Sequence, residues 1–187
     1  MPVEITKRLF DVDDYHRMAA AGILSEDDRV ELIDGEIVAM TPIGPRHNAT
    51  VDRTTRALVT AAGDRAIVRV QGSVRLDRFR APQPDFVLLR PQADFYASRL
   101  PGPPDIFLII EVSESSLDYD RDVKARIYAE AGVPEYWLVD LGGRSLWRYA
   151  DPRGGAYQHR QQYGRGQSIA PALLPHCQIA LDVLLAD

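Results

Sequence analysis

Residues 107–116 read FLIIEVSESS, and this run constrains the fold more tightly than any other part of the chain. In an extended strand successive side chains point to opposite faces, so Phe107, Ile109 and Glu111 share one side and Leu108, Ile110 and Val112 the other. Both faces read as buried. A carboxylate at the end of a strand covered on both sides loses hydration worth several kcal/mol unless something compensates it. The chain therefore has to cover two faces of a sheet and supply a counter-charge at one end of it.

The rest of the sequence provides the covering layers. Strand-like runs stand at AIVRVQGSVRL (66–76), PDFVLLR (84–90), DIFLIIEVS (105–113), EYWLVDL (135–141) and SLWRYA (145–150), with shorter ones in GAYQHRQQY (155–163) and toward QIALDVLL (178–185). A helix is expected after Gly44-Pro45, closed by Gly63, and another over LDYDRDVKARIYAEAG (117–132), ended by Gly132 with Pro134 beyond. Near the start, a short helix and a turn from Tyr15 to Leu24 lead into RVELIDGEIVAM (29–40), where Asp34-Gly35 between apolar runs signals a hairpin. Helix, three strands, helix, strand is the order of an α/β or α+β sandwich, a mixed central sheet flanked by helices with an N-terminal hairpin extension.

The 187 residues suit a single domain spanning 1–187, its core at about 10–150 and C-terminal strands over 151–187. Apolar residues at 45% and charged residues at 26% are the balance of a folded globular protein. The acidic start MPVEITKRLFDVDDY is unlike a secretion signal, and no apolar run nears the roughly 20 residues needed to cross a bilayer, so a cytoplasmic protein without membrane contact is expected. Cys177, the single cysteine, reads as a small core residue. A net charge of -5 argues against coating nucleic acid through bulk electrostatics, though it leaves room for a nuclease. Basic residues gather at 69–80 and 160–165, where a solvated strand face and hairpin explain them as well as a binding patch does.

Three polar residues stand where packing alone would not put them. Asp85 opens a strand whose next four residues are apolar, Glu111 closes the run described above, and Lys124 lies on the inward stripe Asp120, Lys124, Ile127, Tyr128, Ala131. Singly each has an ordinary explanation: a strand end, an arginine pair, a bridge to Asp120 one turn earlier. Together, two carboxylates from neighbouring strands can hold a hard divalent cation such as Mg²⁺. Such an ion lowers the pKa of bound water and stabilises charge on a phosphate, and a nearby lysine can orient the water or hold the phosphate. Two further residues are less decided. Glu31 shares a strand face with Ile33, which fits an inward acid and an exposed edge acid equally. His47 starts the buried stripe His47, Val51, Thr54, Leu58, Ala61, where a satisfied structural histidine is commoner than a ligand or base.

The P-D of QPDFVLL, the E-V-S of IIEVS and a downstream lysine resemble the PD-(D/E)XK nuclease superfamily. RVELIDGEIVAMTPIGPRHN, QPDFVLL and IIEVSESSLDYDRDVKARIYAEAGVPEYWLVDL more closely resemble the Uma family of restriction endonuclease-like proteins, over about Phe10 to Tyr149. The resemblance implies a restriction endonuclease-like fold and a metal-dependent endonuclease acting on DNA. It implies Mg²⁺ or Mn²⁺ on Asp85 and Glu111, Lys124 as the active-site lysine, and Glu31 and His47 around the site. The chain departs from the superfamily at one place: the lysine usually lies two residues after the second acid, where this sequence has Ser113.

Two other readings remain open at this point. The fold could serve as a module that binds DNA or a protein without cutting. The acids and lysine could instead form a structural ion network, with Tyr136, Trp137, Trp147 and Tyr149 marking a protein interface or simply filling the core. A homodimer fits any of these, since two symmetric sites can cut both strands of a duplex.

Overall fold

The computed structural model describes residues 6–25 and 27–186, so the first five residues of the acidic start lie outside the described part. Its centre is a six-stranded sheet formed by β3 (Ile67–Val70), β4 (Phe86–Leu89), β5 (Ile106–Ser113), β6 (Glu135–Asp140), β7 (Ser145–Arg153) and β8 (Ala156–Tyr163), in that spatial order. Only β5 and β6 run parallel; the other pairs are antiparallel. The parallel pair needs a crossover. Residues 117–130 supply it as α3 (Leu117–Tyr119), a π-helical turn Asp120–Lys124 and α4 (Ala125–Glu130). The mixed sheet flanked by helices is as the sequence predicts.

Every residue of β5 is buried. Leu108, Ile110 and Val112 pack with Phe86, Leu88, Val51 and Leu58, under helix α2 (Pro45–Ala62). Ile109 packs with Val87, Ile127, Tyr128 and Tyr136, under α4. One side chain breaks the expected alternation. Phe107 joins the first cluster, because the β4–β5 register slips from Leu88↔Leu108 to Leu89↔Ile106 and leaves Phe107 as the extra residue of a bulge.

Helix α2 starts at Pro45 and ends on Gly63, whose φ of +53° suits a residue without Cβ. Its buried face is His47, Thr50, Val51, Thr54, Leu58 and Ala62, so the stripe ends on Ala62 and not Ala61. The expected hairpin is β1 (Val30–Ile33) and β2 (Glu36–Ala39), turning through Asp34 and Gly35, both with positive φ. It forms its own two-stranded sheet beside the main one. Helix α1 (Val12–Ala20) begins three residues earlier than Tyr15, where Asp11 and Asp14 form a capping box.

Two predicted strands are shorter than their sequence pattern. β3 stops at Val70 because Gln71 takes a positive φ of 48°, so GSVRL lies outside the strand, and the chain reverses at 77–79 with the Val74 and Leu76 N–H groups donating to the Pro82 and Arg80 carbonyls. Toward the end, only Ile179–Ala180 (β10) is extended, pairing with β9 (Ser168–Ile169). Leu181–Leu184 then winds into a helical turn (α5) that packs its apolar residues against α2. Cys177 is fully buried in the same cluster. Among the described residues no helix is long and apolar enough to cross a membrane.

Candidate active site

The sheet register brings the two predicted acids together. Phe86 at the start of β4 lies opposite Ile110 of β5, so one step back along β4 and one forward along β5 puts Asp85 beside Glu111. The backbones tie the pair reciprocally: Asp85 N–H donates to Glu111 Oε2 at 3.1 Å, and Val112 N–H donates to Asp85 Oδ2 at 2.9 Å. Gln71 Nε2 donates to Asp85 Oδ1 at 3.3 Å, and the Gln71 N–H donates to the Asp85 carbonyl. The kink that ends β3 therefore places a side chain and a backbone donor on Asp85.

Lys124 reaches the acids from the π-helical turn. Its Nζ donates to Glu31 Oε2 at 2.6 Å and to Glu111 Oε1 at 3.3 Å, with all three side chains almost wholly buried. Glu31 thus points inward from β1, which decides between the two readings of its pattern. Lys124 bridges to Glu31 and Glu111 and does not simply pair with Asp120. Position 113, where a strand lysine would stand, holds a buried serine whose hydroxyl lies 3.3 Å from that of Ser116, and Ser116 Oγ donates to Asp120 Oδ2 at 2.5 Å. His47, on the first turn of α2, sets its Nε2 3.1 Å from Asp85 Oδ2 and leaves a buried Nδ1 with no hydrogen-bond partner among the described residues. All five predicted residues line one cleft of about 610 Å³, between the hairpin, the start of α2 and the crossover.

The cluster also contains residues the sequence reading did not assign. Asp120 is buried on the cleft wall. Tyr128 O–H donates to Glu111 Oε1 at 2.7 Å, and Tyr119 O–H donates to Glu31 Oε1 at 3.4 Å. The Gln83 N–H donates to Glu31 Oε2 at 3.3 Å. Asp120 and Tyr128 had a visible signal, since both lie on the inward stripe with Lys124; the signal for Gln71, Gln83 and Tyr119 is purely tertiary.

The electrostatics are those of an acid-rich pocket with too little positive charge. Burial pushes Glu111 up to about 8, with Asp85 and Asp120 adding repulsion and Lys124 only partly offsetting it. Burial likewise raises Asp120, against the hydroxyl of Ser116 and the charge of Lys124. Burial alone would lower Lys124, yet the carboxylates of Glu111 and Glu31 outweigh it and keep the ammonium charged. The same balance holds at His47, where Asp85 outweighs burial and raises the imidazole.

Residues 12–183 match the model of the Uma2 family, described as "Putative restriction endonuclease". The chain belongs to this family. Among solved structures it is similar to a "putative nuclease belonging to DUF820" from Anabaena variabilis, with a TM-score of 0.75 at 14% identity, covering 95% of this chain and 98% of that one. At that identity the likeness shows a common fold. No curated protein matches the sequence. The Uma2 membership places the chain among restriction endonuclease-like proteins, in agreement with the sequence resemblance.

Proposed function

We propose that this Uma2 protein hydrolyses phosphodiester bonds in DNA, with Asp85, Glu111 and Lys124 as its catalytic residues. The observation that carries the reading is the register-fixed pairing of Asp85 with Glu111 and the ammonium of Lys124 3.3 Å from the second of them. Glu31, Asp85, Glu111 and Asp120 line one cleft with Lys124, and burying Glu31, Glu111 and Asp120 there costs stability unless something compensates their charge.

The donor set fits a hard divalent cation. Glu111 is pushed up to about 8 in the metal-free protein, so its charged form lacks an adequate partner, and Asp85 beside it offers oxygen ligands. Among the described residues no three His, Cys, Asp or Glu side chains form a preformed cage. Mg²⁺ and Mn²⁺ sites of this class do without one, since Mg²⁺ uses one or two carboxylates and otherwise water and substrate phosphate. When bound, the ion would supply an activated water and charge stabilisation at the phosphate. Asp85 and Glu111 would hold it. His47, Gln71 and the Val112 N–H fix the Asp85 carboxylate, while Tyr128 fixes that of Glu111. Lys124, held charged by Glu31, would present its remaining donor to the phosphate as a point charge.

Cleavage of plasmid and linear DNA across Mg²⁺ and Mn²⁺ concentrations tests the proposal. Asp85→Ala and Glu111→Ala should each abolish cutting without loss of fold, and cutting that survives both would place the site elsewhere. One observation favours a second reading, a DNA-binding module that does not cut: Lys124 is already engaged by two carboxylates. Metal-free DNA retention unaffected by Glu111→Ala, in a protein inert with every metal, would select it.

A further inference from the structure

The proposed nuclease site lacks the positive charge that a nucleic acid needs. Its cleft wall carries Glu31, Asp85, Glu111, Glu114, Asp118 and Asp120 against Arg29 and Lys124, and Lys124 is tied to two of those acids. A polyanion held there requires cationic contacts beyond the cleft.

One cationic side chain, Arg160, starts a row that leads to Ile109 but reaches across to the neighbouring row that contains Glu111. Glu111 lies opposite Leu138, Leu138 opposite Trp147, and Trp147 opposite Gln162. Residues directly opposite one another share a face, so this row crosses the sheet on the side that carries the crossover helix. At about 4.8 Å per strand, Trp147 stands about 10 Å from Glu111 along it. Arg160 on β8, two residues from Gln162, lies on the same face. Its guanidinium carbon sits 4.0 Å from the centroid of the Trp147 ring and 5.4 Å from that of Tyr149. Trp147 and Tyr149, two of the four aromatic residues singled out in the sequence, thus meet Arg160 of the second basic cluster.

Arg160 is exposed, and among the described residues no carboxylate is paired with it. Asp122 is close enough to feel its charge, but both Asp122 oxygens accept from Arg121 at 2.9 Å. A guanidinium resting on an indole has given up much of its rotamer freedom before any ligand arrives, while its rim of N–H donors stays open to a bidentate acceptor.

We propose that Arg160, braced by Trp147, anchors a backbone phosphate of the DNA strand whose scissile phosphate lies at Asp85 and Glu111. The anchor rests on the nuclease reading of the site. It acts as a substrate-positioning residue, touching the strand away from the reacting bond.

Equilibrium binding of fluorescein-labelled DNA to the full chain in EDTA, between about 50 and 200 mM salt, tests it. Arg160→Gln should weaken binding about 5- to 10-fold and lower the log–log salt slope by about 0.7–0.9, the loss of one phosphate contact. Arg160→Lys should keep the slope but recover only part of the affinity, since an ammonium cannot use the indole shelf in the same way. In cleavage assays KM should rise with kcat unchanged. Tryptophan emission gives a reading independent of activity, because Trp137 is fully buried and Trp147 is the other of the two tryptophans. DNA should alter emission in the wild type and not in Arg160→Gln. Unchanged affinity and slope in Arg160→Gln would sink the anchor while leaving the catalytic assignment intact. Arg160-dependent binding by a protein that cuts nothing would keep the anchor and remove the hydrolase reading. A wild type that binds no DNA at any salt would remove both.

Discussion

Replacing Glu111 by glutamine should reverse the sign of its effect on stability between pH 5 and pH 9 in the metal-free protein. In the folded chain the Glu111 carboxyl is pushed up to about 8 from an ordinary 4.5, first by burial and then by Asp85 and Asp120. A raised carboxyl binds its proton more tightly folded than unfolded. Its contribution is therefore fully present below about pH 4.5 and is lost as pH rises through about 8. The rise from 4.5 to about 8 corresponds to about 5 kcal/mol at about 1.4 kcal/mol per unit. Glutamine does not titrate, but both Glu111 oxygens accept hydrogen bonds, from Tyr128 and Lys124 on one and the Asp85 N–H on the other. The amide NH₂ must then face a donor, which costs about 1–3 kcal/mol at any pH. Near pH 5 the variant should be less stable than the wild type by up to about 2 kcal/mol, and near pH 9 more stable by about 2–4 kcal/mol. Guanidinium unfolding in EDTA at pH 5, 7 and 9 measures both curves. Groups such as His47 and Asp120 titrate in both proteins, so the difference between the curves isolates Glu111. Parallel curves, or a wild type whose stability does not decline from pH 5 to 9, would refute the view of Glu111 as an under-compensated acid.

Lys124→Met should be more damaging than Glu111→Gln, losing about 3–5 kcal/mol at pH 8, because it strands Glu31 and Glu111 without a counter-charge. A chemical melt shows this, and a loss under about 1 kcal/mol would contradict it. Mg²⁺ at millimolar concentration should raise the Tm of the wild type and leave that of Asp85→Ala unmoved; equal shifts in both would mean that the ion binds elsewhere. Gly35→Ala should destabilise the hairpin by about 1–3 kcal/mol, since its φ is +77° and a Cβ would come 2.7 Å from that of Leu9. A neutral effect on the urea midpoint would show that the turn relaxes freely.

Much of this site was legible in the sequence because its signals are periodic. The run FLIIEVS reads as a strand covered on both faces, and the stripe through Lys124 and Tyr128 reads as facing inward, and both are so in the structure. Alternation failed at Phe107, because a bulge is set by the partner strand and leaves no mark on its own residues. It failed again at Gln71, where the chain turns out of β3 to put two donors on Asp85, a local distortion repaid by a tertiary contact. Glu31 illustrates the intermediate case. Its two-residue pattern allowed either face, and only the lysine arriving from 93 residues away fixes the choice.

The π-helical turn Asp120–Lys124 makes this site sensitive to length as well as to composition. Its wide turn is closed by the Ala125 N–H donating to the Asp120 carbonyl, five residues back. Deleting one residue from 121–123 would let the segment wind as an ordinary α-helix, at about 100° per residue. Asp120 and Lys124 would then swing apart about the helix axis, although every side chain of the cluster was still encoded. For this family member the residue count of one helical turn shapes the proposed site as much as the acids themselves do.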